Sequence, residues 1–243
     1  MEATFFGETV SVPSRRFDEE DELEDNSAQS IKNYVVELDV NPKKVFLAVD
    51  KLSKAFCKVY LISSNDAVGQ IYETDEEDNE LRTEKCAFYK TLDSSSLVCV
   101  TKGTDPFMPI KFARKFLEAL HDDVQIFILR NNHLSFYKSV EPSDVSVVTR
   151  ILKTSKCDVN LKIPTLEEPN FVSRTPAAVM SMCEYLDRKC LLMFSFTDSF
   201  EPDSISISGF LSLLKFVTPL EDIEVQSRIK KLAFEIQTDQ IYM

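Results

Sequence analysis

Residues 175–196, TPAAVMSMCEYLDRKCLLMFSF, join a helical pattern directly to a strand pattern. Thr175 is a suitable N-cap and proline is favoured at the first helical position, so we predict a helix from Pro176 to about Lys189. The apolar run CLLMFSF (190–196) predicts a strand immediately after this helix. A helix that leads straight into a strand is typical of an α/β fold.

Upstream of this unit, the chain is rich in short runs of β type. YVVELDV (34–40) alternates apolar and polar residues as a half-buried strand does, whereas KVFLAVD (44–50) and KVYLISS (58–64) are nearly continuous and suit interior strands. An acidic stretch, TDEEDNE (74–80), predicts a surface loop. Further runs predict strands at AVGQIYE (67–73), CAFYKTL (86–92), LVCVTKG (97–103) and QIFILR (125–130).

Helical spacing recurs in three other places. PFMPIKFARKFLEAL (106–120) has prolines in its first turn, Asp203 or Ser204 opens a helix that continues to residue 216, and residues 221–236 form a last amphipathic helix. The predicted inward residues of the first of these helices are Ile110, Ala113, Phe116, Leu117 and Leu120, and those of the last are Ile229, Leu232, Ala233 and Ile236. Residues 131–160 give no clear pattern.

Strands that alternate with helices predict one α/β domain, with a central mixed, partly parallel sheet and helices on both faces. The chain has 243 residues, of which 44% are hydrophobic, so it can build a core without covalent staples. We predict three segments. Residues 1–33 form an acidic, largely disordered segment, residues 34–237 form the α/β domain, and residues 238–243 form a flexible tail.

Composition excludes several classes of function. The net charge is −12, half of it within residues 1–33, and no basic stripe suits a nucleic acid. No apolar run approaches the roughly 18 residues of a membrane span. The opening MEATFFGE has no basic region of a signal peptide, and the six cysteines form no CxxC pair, which indicates reduced thiols. We therefore expect a cytoplasmic protein, with the nucleus as a second location.

The chain carries no clear catalytic motif. Its four glycines are not clustered, which excludes a P-loop and a dinucleotide fingerprint. A cysteine nucleophile can be built from Cys183, His133 and Asp198, but apolar neighbours place Cys183 in a core. His121 suits a helix C-terminus, and the pair Glu167 and Glu168 suits a solvated turn. We expect no enzyme activity, no cofactor and no metal.

Three segments in the right order carry a family resemblance: ATFFGE (3–8), LEEPNFVSRTPAAVMSMCEY (166–185) and an end of the form hydrophobic-Tyr-X at Ile241, Tyr242 and Met243. Together they resemble the family of proteasome assembly chaperone 1. The resemblance implies an α/β body that forms a heterodimer with a second related chain, proteasome assembly chaperone 2. It also implies binding to the α subunits of the immature proteasome core, and it allows association with the endoplasmic reticulum.

The resemblance further implies that the tail enters a pocket between adjacent α subunits. Physically, Ile241 suits an apolar slot, Tyr242 offers a ring and a hydroxyl, and Met243 offers the terminal carboxylate. Two other interpretations of the tail stay open, a ligand of a PDZ domain and a segment folded back under the last helix. The alternative from another functional class is an α/β hydrolase or a nucleoside phosphorylase-like enzyme.

Overall fold

The computed structural model describes residues 4–5, 8–9, 32–75, 82–102, 108–139, 145–199 and 201–216. The acidic block at 18–25, the predicted last helix at 221–236 and the predicted tail at 238–243 lie outside these residues. Among the helices that are described, none has the length and apolar character needed to cross a bilayer. Contacts divide the chain into two units, Met1–Ile31 and Lys32–Met243.

In the first unit, two short strands form an antiparallel ribbon. Strand β1 (Thr4–Phe5) pairs with β2 (Glu8–Thr9), with Thr4 opposite Thr9 and Phe5 opposite Glu8. This ribbon falls within the segment ATFFGE and the residue that follows it.

The second unit is an α/β domain. Its strands are β3 (Lys32–Leu38), β4 (Lys44–Ala48), β5 (Ile62–Asp75), β6 (Arg82–Thr91), β7 (Ser96–Thr101), β8 (Gln125–His133), β9 (Val147–Lys153) and β10 (Cys190–Thr197). Its helices are α1 (Lys51–Tyr60), α2 (Pro109–Glu118), α3 (Arg174–Tyr185) and α4 (Ser204–Ser208), with 3₁₀ turns at Leu134–Phe136 and Leu211–Phe216.

The eight strands form one mixed sheet in the order β3-β5-β6-β7-β4-β8-β10-β9. The four inner strands β7, β4, β8 and β10 are mutually parallel, and the pairs toward both edges are antiparallel. Parallel strands are normally covered on both faces, which explains the continuous apolar runs of β4, β8 and β10. The predicted mixed, partly parallel sheet is confirmed.

Alternate residues of β4 enter two separate hydrophobic clusters. Val45 and Leu47 belong to the cluster that α2 and α3 complete. Phe46 and Ala48 belong to the cluster that α1 and α4 complete, where the Phe46 and Phe127 rings stack with centroids 4.8 Å apart. Successive strand side chains point to opposite faces, so helices cover both faces of the sheet as predicted.

The predicted strand KVYLISS (58–64) is wrong in its first half. Residues up to Tyr60 belong to α1, and β5 begins only at Ile62. Asp50 and Ser53 form a reciprocal capping box that starts this helix, with Ser53 N donating to Asp50 Oδ1 at 2.9 Å. The spacing of Leu52, Phe56 and Tyr60 then keeps one buried stripe against the sheet.

In α2, one predicted inward residue is wrong. Ile110 is 65% exposed, whereas Phe112 is fully buried with Ala113, Phe116 and Leu117. Two residues correspond to about 200° around a helix, so Ile110 lies opposite Phe112. The helix begins at Pro109, three residues after the predicted start at Pro106, so the second of the two predicted prolines lies in its first turn.

Both predicted ends of α3 are also wrong. The N-cap is Ser173, and Thr175 lies two residues further along the chain as a buried side chain without a capping bond. The helix ends at Tyr185 instead of Lys189, because Asp187 takes a positive φ of 54°. Arg188 then turns inward, where its guanidinium donates to Leu117 O at 2.8 Å and closes the C-terminus of α2.

The predicted start of the next helix is confirmed, because Asp203 caps α4 and its side chain accepts from Ser206 N at 2.7 Å. The predicted extent to residue 216 is wrong, because this helix ends at Ser208 and residues Leu211–Phe216 form a separate 3₁₀ turn. Gly209, the C-cap, packs tightly on the sheet. A Cβ at Gly209 would overlap Ser195 Oγ and would lie 3.1 Å from Ser195 Cβ and 3.2 Å from Val147 Cγ1. The close approach requires glycine at this position.

All six cysteines of the chain are free and buried. Cys57 and Cys157 lie in the cluster under α1, and the other four lie in the cluster under α2 and α3. Burial raises the pKa of the Cys57 thiol well above its usual range. These side chains act as small core residues, as their apolar sequence neighbours indicated.

Candidate functional site

A groove opens at the carboxyl ends of the parallel strands β8 and β10, where ligand sites of open α/β sheets are usually found. Its volume is about 520 Å³. The groove is bounded by the loop after β8, the loop before α3 and the end of β10. Its lining residues are Arg130, Asn132, Ser135, Phe136, Lys138, Pro169, Asn170, Phe171, Val172, Ser173, Arg174, Phe194 and Phe196.

Aromatic rings from β10 build the inner side of the groove. Phe194 and Phe196 stack with centroids 4.7 Å apart and planes 12° apart. The Tyr137 ring packs on Phe196 at 4.9 Å. Both phenylalanines are buried, so these rings join the groove to the core beneath α3.

An ion pair fixes the loop before α3. Arg150 Nε donates to Glu167 Oε2 at 2.8 Å, and the Tyr137 hydroxyl donates to the same carboxylate. The hydrogen bond from Arg150 holds the pKa of Glu167 at about 2. The guanidinium also lies 5.1 Å from the centre of the Tyr137 ring. The interpretation of Glu167 and Glu168 as a solvated turn is therefore confirmed for Glu168, which is exposed in a turn, and is wrong for Glu167, whose carboxylate anchors the loop.

Asn170 joins the two loops that border the groove. Its Oδ1 accepts from Lys138 N at 2.8 Å, and its Nδ2 donates to Lys138 O at 2.7 Å. Nδ2 also donates to Glu167 O at 2.9 Å. One amide side chain thus holds the backbone of both loops, which gives the groove a defined width.

The chemistry of the lining suits binding. It carries three cations, Arg130, Lys138 and Arg174, and two strongly exposed aromatic rings, Phe136 at 64% and Phe171 at 77%. The described lining includes no carboxylate, imidazole or thiol, which are the usual general acids, bases and nucleophiles. The groove is therefore equipped to hold a ligand by charge and apolar contact.

The structure does not bring together Cys183, His133 and Asp198, the trio considered as a cysteine nucleophile, and it places Cys183 in the core as its apolar neighbours indicated. Cys183 is fully buried in α3, inside the cluster under that helix. The His133 ring contacts Ser135 Oγ at 2.8 Å and the backbone oxygen of Asp198 at 2.9 Å. His121 is exposed two residues after the C-cap of α2, near the helix end where it was predicted.

Beside the groove, a buried polar network ties three strands together. The Asp50 carboxyl accepts from Ser53 N and, at 2.6 Å, from Asn131 N, while Asn131 Nδ2 donates to Ser195 O at 3.1 Å and to Thr197 Oγ1 at 2.9 Å. Burial raises the pKa of Asp50. The network joins the ends of β4, β8 and β10, and sequence analysis did not find it.

The predicted partner-binding residues, Ile241, Tyr242 and Met243, lie outside the described residues and stay predictions. The groove itself was missed, because its lining comes from distant parts of the chain. One signal was present in the sequence, since the segment LEEPNF that carried the family resemblance supplies Glu167, Asn170 and Phe171 to this site.

Comparison with known proteins gives a consistent family. A family model described as Proteasome assembly chaperone 4 matches residues 29–239. Proteasome assembly chaperone 1 of Homo sapiens is 27% identical over 256 residues, which cover 88% of this chain and 88% of the relative. The Danio rerio protein of the same name is 25% identical over 276 residues, which cover 98% and 99%.

Two solved structures share the fold. Pyrococcus furiosus PbaA, an archaeal homolog of proteasome-assembly chaperone, has a TM-score of 0.60 at 11% identity and covers 86% of this chain and 92% of its own. Pyrococcus furiosus PbaB, an archaeal proteasome activator, has a TM-score of 0.56 at 10% identity and covers 88% and 98%. These two likenesses show the α/β architecture.

Proposed function

The chain belongs to the proteasome assembly chaperone family, and from this premise we propose that it promotes assembly of the core proteasome by binding alone. The observation that carries the proposal is the family match, which extends over residues 29–239 and so includes nearly all of the α/β domain. Relatives that match over 88% or more of their own length support it as well.

We propose two kinds of partner. The first is a second related chaperone, proteasome assembly chaperone 2, which forms a heterodimer with this chain. The second is the set of proteasome α subunits, which the heterodimer holds in register while the α ring forms. The net charge of −12 favours basic surfaces on these partners.

The C-terminal residues Ile241, Tyr242 and Met243 act as a locking element in a pocket between adjacent α subunits. Burial of the Ile241 and Tyr242 side chains contributes about 1.5–3 kcal/mol each, and a charged hydrogen bond to the terminal carboxylate adds about 1.5–3 kcal/mol. Ordering the tail costs about 2–5 kcal/mol, so the isolated contact is weak, with a Kd between about millimolar and about tens of micromolar. Tethered to a docked body, it acts at about millimolar effective concentration.

Binding without catalysis is supported by the site chemistry. A cysteine hydrolase needs Cys183 next to an imidazole at an accessible surface, and this thiol is fully buried. The groove lining offers cations, amides and aromatic rings. Release of the chaperone then follows from changes in the ring as it matures. We propose the cytoplasm and nucleus as its locations, with some association with the endoplasmic reticulum.

The experiment is co-purification of the full chain followed by mass spectrometry, compared with a chain that lacks residues 241–243 and a chain with one glycine added after Met243. We expect the full chain to recover α subunits and one related chaperone. Both altered chains keep the related chaperone and lose most of the α subunits. Recovery of neither partner by the full chain would overturn the proposal.

The tail has its own decisive outcomes. Equal recovery of α subunits by all three chains would remove the locking role. Loss of thermal stability in the truncated chain would support the folded-back interpretation, and capture of a PDZ protein that depends on the free carboxylate would support the PDZ interpretation.

A further inference from the structure

We propose that the groove between β8, β10 and the start of α3 binds an acidic peptide segment that carries a large apolar side chain and is supplied by another protein. Phe136 and Phe171 carry the apolar part of this inference. They line one groove and are 64% and 77% exposed, although phenylalanine is normally an inside residue. Exposed aromatic rings at a concave site are typical anchors for a partner side chain.

The charges of the groove lining favour a negatively charged ligand. Arg130, Lys138 and Arg174 line the groove, and its described lining contains no acidic residue, although acids outnumber bases by 40 to 28 in the whole chain. Two carboxylates lie close by. Glu167 is already bound to Arg150, whereas the buried Asp50 interacts with Arg130. Lys138 and Arg174 therefore contribute most to the attraction for an anion. Helix α3 starts at this groove, and the positive end of its dipole adds to the attraction for carboxylates.

The groove is prepared for a ligand. Asn170 and the Arg150–Glu167 pair fix both bordering loops by hydrogen bonds of 2.7–2.9 Å. Because the loops are already ordered, binding of a ligand costs little conformational entropy. A volume of about 520 Å³ lies within the roughly 300–1,000 Å³ of known ligand sites. A flat, mobile surface would have neither property.

An extended acidic peptide fits these features better than a nucleic acid does. Both ligands would meet the cations and the aromatic rings. A long polyanion, however, is repelled by a chain of net charge −12, whereas a short peptide places its few carboxylates only where the local cations are. The inference does not depend on the proposed role in proteasome assembly, since the test below uses no proteasome component.

The test is fluorescence anisotropy of the full chain with a fluorescein-labelled peptide, Ser-Asp-Glu-Phe-Asp-Glu-Ser. Two control peptides replace the phenylalanine by serine or the acids by lysine. We expect saturable binding of the acidic aromatic peptide, and binding of each control at least about tenfold weaker, which corresponds to about 1.4 kcal/mol. A rise in salt weakens the complex.

Two groove variants, Lys138→Glu and Phe171→Ser, change exposed side chains and should leave the fold intact, as circular dichroism can verify. We expect each variant to lower the affinity for the acidic peptide by about fivefold to tenfold. The matched controls Lys162→Glu and Tyr185→Ser change exposed residues outside the groove lining and should bind as the unaltered chain does.

Three results would overturn the inference. One is absence of saturable binding of the acidic peptide, and the second is equal affinity for its lysine control. The third is tighter binding of a single-stranded RNA oligonucleotide of the same length, lost in Lys138→Glu, which would assign the groove to a nucleic acid.

Discussion

The Asn170 side chain makes two hydrogen bonds to the backbone of Lys138, accepting from its N–H at 2.8 Å and donating to its carbonyl at 2.7 Å. The two residues are far apart in sequence and belong to the two loops that border the groove. A pair of this kind is made once the domain has folded, and it then fixes the distance between the loops. The width of the groove at this point therefore depends on the Asn170 side chain, together with the bond from the Tyr137 hydroxyl to Glu167 that also joins the two loops.

We expect Asn170→Ala to loosen the loops without unfolding the domain. Three hydrogen bonds of a half-exposed side chain are lost, and the expected cost in the free energy of unfolding is about 1–2 kcal/mol. Hydrogen exchange at the Lys138 amide should become faster. Asn160→Ala, at an exposed loop position, is the control and should change neither quantity. Unchanged exchange at Lys138 in Asn170→Ala would contradict the clamp.

The Arg150–Glu167 pair predicts a dependence of stability on pH. Because the folded pKa of Glu167, about 2, lies below its ordinary value of 4.5, the contribution is complete above 4.5 and is lost as the pH falls toward 2. The Glu167 side chain is 36% exposed, so we expect no more than about 1 kcal/mol.

This dependence can be measured by urea unfolding from about pH 6 to about pH 3, followed by circular dichroism. The difference in free energy between the unaltered chain and Glu167→Gln should shrink as the pH falls. Glu168→Gln, the adjacent exposed carboxylate, is the control and should run parallel to the unaltered chain. A difference that stays constant over this range would argue against the ion pair.

Gly209 and Ser195 should be energetically coupled. Gly209→Ala forces a methyl group onto Ser195 Oγ, and we expect a loss of about 1–3 kcal/mol. Ser195 Oγ is buried without a hydrogen-bond partner among the described residues, so Ser195→Ala should be neutral or stabilising. The double variant should lose less than the sum of the single changes in thermal unfolding. Strict additivity would contradict the contact.

Asp203 and Asp50 provide a matched comparison, because both are N-caps and only Asp50 also accepts a hydrogen bond from the backbone of Asn131. Asp203→Ala removes a cap alone and should cost about 1 kcal/mol. Asp50→Ala also leaves the N–H of Asn131 without its acceptor inside the sheet, which adds about 1–3 kcal/mol. Urea unfolding of the two variants measures the difference. Equal losses would mean that the bond from Asn131 adds nothing to stability.

Much of the architecture followed from local patterns. The nearly continuous apolar run of β4 predicted an interior strand because residues covered on both faces have no reason to alternate, and the apolar runs of β8 and β10 predicted strands. Asp203 predicted a helix start because its side chain satisfies a free N–H whatever the tertiary context. The order of strands in the sheet was outside the reach of these patterns.

The errors came from effects that local patterns do not contain. Lys58–Tyr60 has β-type residues, yet a capping box eight residues upstream and a buried stripe commit it to a helix. Ser173 and Thr175 are both capping residues by type, and only the fold shows that the Thr175 side chain is buried in the core and that Ser173 is the N-cap. The groove could not be predicted, because β8, β10 and the loop before α3 meet there only in the folded chain.

The burial of all six thiols determines when the protein can be oxidised. Four of the six sulfur atoms lie under α2 and α3 and two lie under α1, so no single local opening uncovers them all. Oxidants and alkylating reagents attack accessible thiolates, and the native chain presents none of these cysteines at its surface. Vulnerability to oxidation thus belongs to the newly synthesised polypeptide, in the interval before its sheet closes over the sulfurs.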